Sequence, residues 1–396
     1  MEPAPRQPVQ PRGHVGGELP WRCGLRRCHR GPLSFAAEAT RPIANRSPPS
    51  PRSRRPATAL ALAGLAALAA CRGPDPRAPL ADSQLPPGLQ TRFNPPSGWA
   101  WGLVKVGDAP AARYGVSAPP SQPRADVLIL AAYGEPAEVW FETARALNAQ
   151  GYVVWVLEPL GQSGSGHYGV PRDVIDASSL RPDVDAAMAL AARMVRRRPL
   201  FLMAGRTSAP TAVAALVAGL AADGAILSAP TLSGPDATTA RRMRQFGLGG
   251  LRAEGEAGWR RDGPDDRALG LTHDALRGHV RTAWQGANPD LRMGGPSWSW
   301  RAAFADQLDA VAAAPLGRVQ TPVLVLQPTG GAAAAFALCR RLPHCRMEPL
   351  GPARPELELE VDEVRGAWLS AVKAFIEPRI ARFPAPPPPA RVGAED

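Results

Sequence analysis

The chain has 396 residues, room for one large domain or two modest ones, and its 46 Lys and Arg against 35 Asp and Glu give a formal net charge of +11. That excess is local: residues 1–70 hold 11 arginines and three glutamates, whereas residues 71–396 carry 35 basic and 32 acidic groups. With the charge confined to the N-terminal stretch and no RNA- or DNA-reading motif beside it, a nucleic-acid-binding class finds no support.

Residues 1–50 are rich in Pro, Arg, Gly and Ser and show no apolar period, so they are expected to be disordered or an over-extended start. Residues 51–70 have the pattern of a signal peptide. Arg52, Arg54 and Arg55 form a charged flank, and Ala57 to Ala70 forms an apolar run too short to cross a bilayer comfortably as a helix. The run ends Leu68-Ala69-Ala70-Cys71, which resembles the lipobox of bacterial lipoproteins. That resemblance implies lipidation of Cys71, attachment to the membrane through the N-terminal lipid and a place in the bacterial cell envelope. Arg72 is unlike the aspartate that retains lipoproteins in the inner membrane, which favours the periplasmic face of the outer membrane. An uncleaved anchor or a buried helix is the alternative for the same run. Residues 71–97 read as a flexible tether.

Core elements follow from residue 98. Trp99–Val106 and Ala111–Val116 have the pattern of a hairpin around Gly107-Asp108, and Asp126–Ala131 and Tyr152–Leu157 read as buried strands. Glu138–Gln150 and Arg181–Arg197 have helical spacing. Residues 198–230 read as strand, sharp turn, helix and strand, with Gly205-Arg206-Thr207-Ser208-Ala209 at the turn. Residues 231–315 break the alternation and are expected to form an irregular cap. Core elements resume over 316–380: strand Pro322–Gln327, helix Ala332–Leu342, strand Arg346–Leu350 and helix Asp362–Ile376. Residues 381–396 are a proline-rich tail. Strands alternating with helices predict an α/β fold with a mostly parallel sheet covered on both faces and a cap inserted after the sixth strand.

Several segments, in order over about residues 98–378, resemble the lysophospholipase and monoacylglycerol-lipase branch of the α/β hydrolases. They are Glu135–Thr143, Gly151–Ser165, Leu227-Ser228-Ala229-Pro230, Asn288–Trp300 and residues 321–376. The resemblance implies an α/β-hydrolase fold and a Ser, Asp and His triad. At the family's G-x-S-x-G this chain reads Gly205-Arg206-Thr207-Ser208-Ala209, so Thr207 stands at the nucleophile position. The loop that carries the family's acid reads Pro328 to Ala334 around Gly330, without a carboxylate, and the histidine position reads Pro355. The expected oxyanion donors are the backbone amides of Ser208 and Tyr133.

Ester hydrolysis on this scaffold needs a hydroxyl, an imidazole to take its proton and an acid to orient the imidazole. Ser208 is an alternative nucleophile if the register slips by one, and Asp236 a stand-in acid. A histidine of the cap, His273 or His279, is the route by which an imidazole would reach the turn; His167 and His344 lie elsewhere. Glu356, next to the lost histidine position, is expected to pair with Arg354 or solvent. Two readings therefore stand. One is a lipid-anchored, catalytically impaired hydrolase-like protein that binds a lipid or acyl ligand; the other is an active ester hydrolase using Thr207 or a relocated set. A purely structural envelope protein is a third. No cofactor and no metal are expected: Cys339 and Cys345, six positions apart with only His344 between them as a further ligand, suit a local disulfide or two buried thiols better than a four-ligand site. The impaired reading leaves room for a protein partner as well, which the sequence does not identify.

Overall fold

A computed structural model describes residues 77–383 apart from 170, 195–196, 235 and 331. The expectations for the leader, the apolar run, Cys71 and the tail beyond 383 lie outside the described residues.

Eight strands form one sheet in the order β1-β2-β4-β3-β5-β6-β7-β8. β1 (Ala100–Val104) and β2 (Ala112–Ser117) make the antiparallel hairpin, and β2 also runs antiparallel to β4 (Tyr152–Leu157). From β4 through β3 (Ala125–Leu130), β5 (Leu200–Gly205), β6 (Gly224–Ser228), β7 (Val323–Gln327) and β8 (Cys345–Pro349) every pairing is parallel. β3, β5 and β6 are buried along their whole length, as continuous apolar runs covered on both faces should be.

Alternation along each strand divides the core in two. Leu128, Leu202, Leu227 and Val325 pack under α2 (Arg181–Arg193), α3 (Ala209–Val217) and α7 (Ala333–Arg341). Ile129, Met203, Ile226 and Leu324 face α1 (Phe141–Asn148) and α8 (Asp362–Ile380) on the other side. Cys339 of α7 and Cys345 of β8 are joined by a disulfide.

Two segments differ from the sequence expectation. Residues 77–97 are bonded to the core instead of forming a free tether. Leu80 N donates to Gly164 O at 2.8 Å, Gln84 N to Asn288 Oδ1 at 2.6 Å, and Phe93 is buried with Phe141 and Trp284. The insertion between β6 and β7 is not irregular: it contains α4 (Thr238–Gln245), α5 (Ala275–Ala287) and α6 (Trp298–Ala313). α5 starts where Asp274 accepts from Leu276 N and Arg277 N, and α6 where the Ser297 hydroxyl accepts from Trp300 N. Both are N-caps that satisfy amides the helix cannot.

Candidate functional site

β5 ends at Gly205, a 3-10 turn spans Arg206–Ser208, and α3 follows directly. A strand that must reverse into a helix within so few residues forces one residue into the left-handed region. That residue is Arg206, with φ 48°. This is strained backbone for a side chain of this size and marks the tip of the turn. The sequence reading placed the tip at Thr207; the backbone places it one residue earlier. Small residues flank both frames, Gly205 and Ala209 around Thr207 and Ala204 and Ser208 around Arg206, so the spacing alone could not separate them.

Thr207 and Ser208 are both held by the backbone. Thr207 Oγ1 accepts from the amide of Tyr133 at 2.8 Å. The Ser208 hydroxyl lies between the carbonyls of Leu130 (2.7 Å) and Gly205 (2.9 Å) and accepts the Gly205 amide at 3.2 Å. The two expected oxyanion amides are therefore not a free pair: Tyr133 N–H is engaged by Thr207, and with Arg206 at the tip the amide that follows it belongs to Thr207, not Ser208.

Arg206 points into a buried ionic cluster. Its guanidinium donates to Glu135 Oε1 at 2.7 Å and lies 3.2 Å from Glu356 Oε1 and 3.7 Å from Glu358 Oε1. Arg281, on α5 of the insertion, bonds Glu356, reaches Asp266 at 3.1 Å and lies 3.7 Å from Glu135. Glu135 also accepts the Ala132 amide at 2.7 Å. Burial opposes the charge on Arg206, but Glu135, Glu356, Glu358 and Asp266 hold its guanidinium above its ordinary value. Burial also opposes ionisation of Glu135, yet Arg206 and Arg281 keep it below the usual carboxylate range. For the other acids burial wins: it pushes Glu356 up to about 8 and Glu358 up to about 7, against the pull of Arg206, and it raises Asp266. Glu356 was expected beside Arg354 or solvent; it is fully buried and bonded to Arg206 and Arg281 instead. Sequence reasoning missed the cluster because its members come from four distant segments. An arginine closing a wholly apolar strand was the one available signal.

The histidines do not reach the turn. His273 Nδ1 bonds Glu360 at 2.8 Å, with Arg354 donating to Nε2 at 3.2 Å. His279 and His344 are exposed. His167 is buried, its pKa lowered by burial to about 4, and contacts Ser163 O. Asp236 accepts from the amide and hydroxyl of Thr238 at the start of α4 and bonds no histidine there. Pro355 and Gly330 are exposed. Among the described residues no group of His, Cys, Asp or Glu is placed to hold a metal ion.

Two cavities meet at the turn. A small one of about 40 Å³ is bordered by Tyr133, Glu158, Gln162, Asp183, Thr207, Ser208, Thr211 and Trp300. A larger groove of about 480 Å³ shares Tyr133, Thr207 and Trp300 and runs along α4 and α6 past Ala240, Trp298, Phe304 and Leu308.

A parallel sheet with one antiparallel end, helices on both faces and a strained strand-to-helix turn at the carboxyl edge define an α/β-hydrolase fold. Residues 121–332, more than half of the chain, match the family model of serine aminopeptidase, S33, and the chain belongs to that family. Comparison with curated protein sequences finds no match. Among solved structures, the fold is similar to a soluble variant of monoglyceride lipase from Saccharomyces cerevisiae in complex with a substrate analog (16% identity, 76% of this chain and 96% of that one, TM-score 0.55). It is also similar to a thermostable carboxyl esterase from Bacillus coagulans in complex with glycerol (13% identity, 72% and 100%, TM-score 0.53). A monoacylglycerol lipase from Paleococcus ferrophilus matches at 16% identity over 67% and 98% of the two chains, with a TM-score of 0.51.

Proposed function

We propose that this protein is a lipid-anchored member of the α/β-hydrolase fold that does not hydrolyse esters and instead holds a lipid or acyl ligand. The observation that carries the reading is Arg206 at the tip of the turn, ion-paired with Glu135 and Glu356. A guanidinium is all donors, has no nucleophilic lone pair and stays protonated, so it cannot attack a carbonyl. The hydroxyl beside it engages the Tyr133 amide, a donor that acyl transfer would need for its oxyanion. No histidine hydrogen-bonds to Thr207 or Ser208 among the described residues, so neither hydroxyl has an imidazole to take its proton.

Ligand binding is supported by the groove along α4 and α6, whose volume of about 480 Å³ is in the range of small-molecule sites and whose lining is mostly apolar. The yeast lipase and the bacterial esterase of this fold hold a substrate analog and glycerol. Membrane attachment through Cys71, at the periplasmic face of the outer membrane, is supported by the charged flank, the apolar run and Leu68-Ala69-Ala70-Cys71. To test the reading, the full chain is expressed in a bacterium beside Cys71→Ser, and the purified proteins are extracted with organic solvent for mass spectrometry. Wild type is expected in the membrane fraction with an acyl-modified N-terminal peptide, the variant outside it, and both carrying an extractable single-chain lipid. A protein without extractable lipid that turns over a short ester contradicts the reading.

A further inference from the structure

At the opposite end of the sheet from the turn, where β7 and β8 begin, a cavity of about 450 Å³ lies between the start of β8 and the last turns of α8. That volume is in the range of small-molecule sites. Its charged border is one-sided: His344, Arg346 and Arg379 line it, and no aspartate or glutamate does. The remaining lining is mostly apolar, with Val323 and Phe375 among it. The positive charge is local to this corner. Residues 330–347 contain Arg340, Arg341, His344 and Arg346 and no acid, although residues 71–396 as a whole are nearly balanced.

Arg379 is a cation that the fold leaves uncompensated. Arg113, Arg206, Arg277 and Arg281 are each buried against carboxylates. Arg379 is partly buried too, and among the described residues no carboxylate pairs with it. Its guanidinium lies over the Phe375 ring at 3.7 Å, Nη1 donates to Phe375 O at 2.6 Å, and Nε is buried without a partner. Burial, with Arg346 and Arg382 of its own sign, holds the guanidinium below its ordinary range. Arg346 meets Glu348 at 3.1 Å, but this pair is exposed, so it contributes little and leaves donors for another anion. His344 and Arg346 flank Cys345, whose disulfide to Cys339 ties them to α7. The backbone that carries two of the three cations is therefore fixed before anything binds.

What suits this border is an anion with several acceptor oxygens. A guanidinium presents a planar fork of donors that matches phosphoryl oxygens, and two of them beside one cavity favour a doubly charged group over a single carboxylate. The cavity is larger than a bare phosphate needs, and its apolar lining takes an organic body beside the charge. We propose that Arg379 and Arg346, with His344 beside them, bind a phosphoryl group carried on an organic body, at the amino ends of β7 and β8. A soluble phosphomonoester and a phospholipid head both offer that chemistry. The site stands apart from the turn and its cavities, and it does not depend on the ligand-binding reading above.

The test uses the full chain carrying Cys71→Ser, so that no acyl anchor contributes, purified without reductant. It is titrated calorimetrically at low salt with phenyl phosphate and with benzyl alcohol as the neutral match, and sedimented with phosphatidylcholine vesicles with and without phosphatidylglycerol. Phenyl phosphate is expected to saturate a single site, and benzyl alcohol is not. Arg379→Gln, which keeps a donor for Phe375 O, should weaken phenyl phosphate about tenfold, and Arg346→Gln about fivefold. Arg340→Gln removes the same charge from outside the cavity and should change binding by less than about twofold. Vesicle capture that requires phosphatidylglycerol and is lost in Arg379→Gln assigns the site to a lipid head. Saturable phenyl phosphate binding without such capture assigns it to a soluble phosphomonoester. Absence of both saturable binding and Arg379-dependent capture overturns the site. An equal loss in Arg340→Gln and Arg379→Gln overturns it as well, because diffuse charge then accounts for the binding.

Discussion

Two of the buried arginine–glutamate clusters among the described residues, those of Arg113 and Arg206, are built differently. In the first, Arg113 on β2 is fully buried between Glu138 and Glu158, with contacts of 2.8 and 2.6 Å, and lies over the Trp101 ring at 3.9 Å. All three charged members come from the core, and one cation serves two acids. In the second, Arg206 sits on a strained turn and meets Glu135, Glu356 and Glu358, while a second cation, Arg281, arrives from the insertion. The first cluster is a rigid brace. The second sits at the strand-to-helix turn, and through Arg281 it ties the insertion to the core. Similar chemistry therefore joins core elements in one cluster and joins the insertion to the core in the other.

The largest expected effect breaks the first cluster. Arg113→Met leaves Glu138 and Glu158 buried with no cation, and should cost about 3–5 kcal/mol in urea unfolding. Arg206→Met should cost less, about 2 kcal/mol, because Arg281 remains in reach of Glu135 and Glu356 and the raised acids can take up protons. Equal losses in the two variants would show that the clusters do not differ in the way described.

A smaller effect concerns pH, to which both clusters contribute a carboxyl raised by burial. Glu356 is pushed up to about 8, and Glu358 and Asp183 up to about 7, in each case mainly by burial. In the unfolded chain these carboxyls ionise in their ordinary range, so above it the folded state binds more protons than the unfolded one. The slope of unfolding free energy with pH is then negative: the stabilisation is present at low pH and is lost as pH rises toward the folded values. Each such carboxyl contributes up to about 1.4 kcal/mol per pH unit. Glu135 acts in the opposite sense, but only at acid pH, since its folded value is depressed. The melting temperature should therefore fall between about pH 6 and pH 8. Glu356→Gln should flatten the fall by removing one raised carboxyl, whereas Arg113→Lys leaves Glu158, also raised by burial, in place and so should not flatten it.

Most of the fold was legible because it is written locally. Val127–Ala131 and Leu200–Ala204 are unbroken apolar runs, which only a sheet covered on both faces accommodates, and the hairpin and the terminal helix carry their own periodicity. The helices of the insertion were missed because glycines and arginines surround them, although Asp274 and Ser297 are ordinary N-cap residues. The site was half legible. Its strand, turn and Tyr133 loop were in place, and the absence of a histidine at Pro355 could be read directly. The tip of the turn could not, because a one-residue shift keeps small neighbours on both sides and only the positive φ of Arg206 distinguishes the frames. Nor could the partners of Glu356: the alternation Glu356-Leu357-Glu358 looks like a solvated edge until Arg206 and Arg281 are brought against it.

In the proposed reading, a guanidinium at the turn and a neighbouring hydroxyl engaged by the Tyr133 amide leave no nucleophile. Incubation of the full chain with a fluorophosphonate, followed by intact-mass analysis and an ester turnover assay, tests it most directly. No covalent adduct is expected, and no turnover above that of Thr207→Ala. An adduct on Thr207 or Ser208, with turnover that disappears in Thr207→Ala or Ser208→Ala, would contradict it.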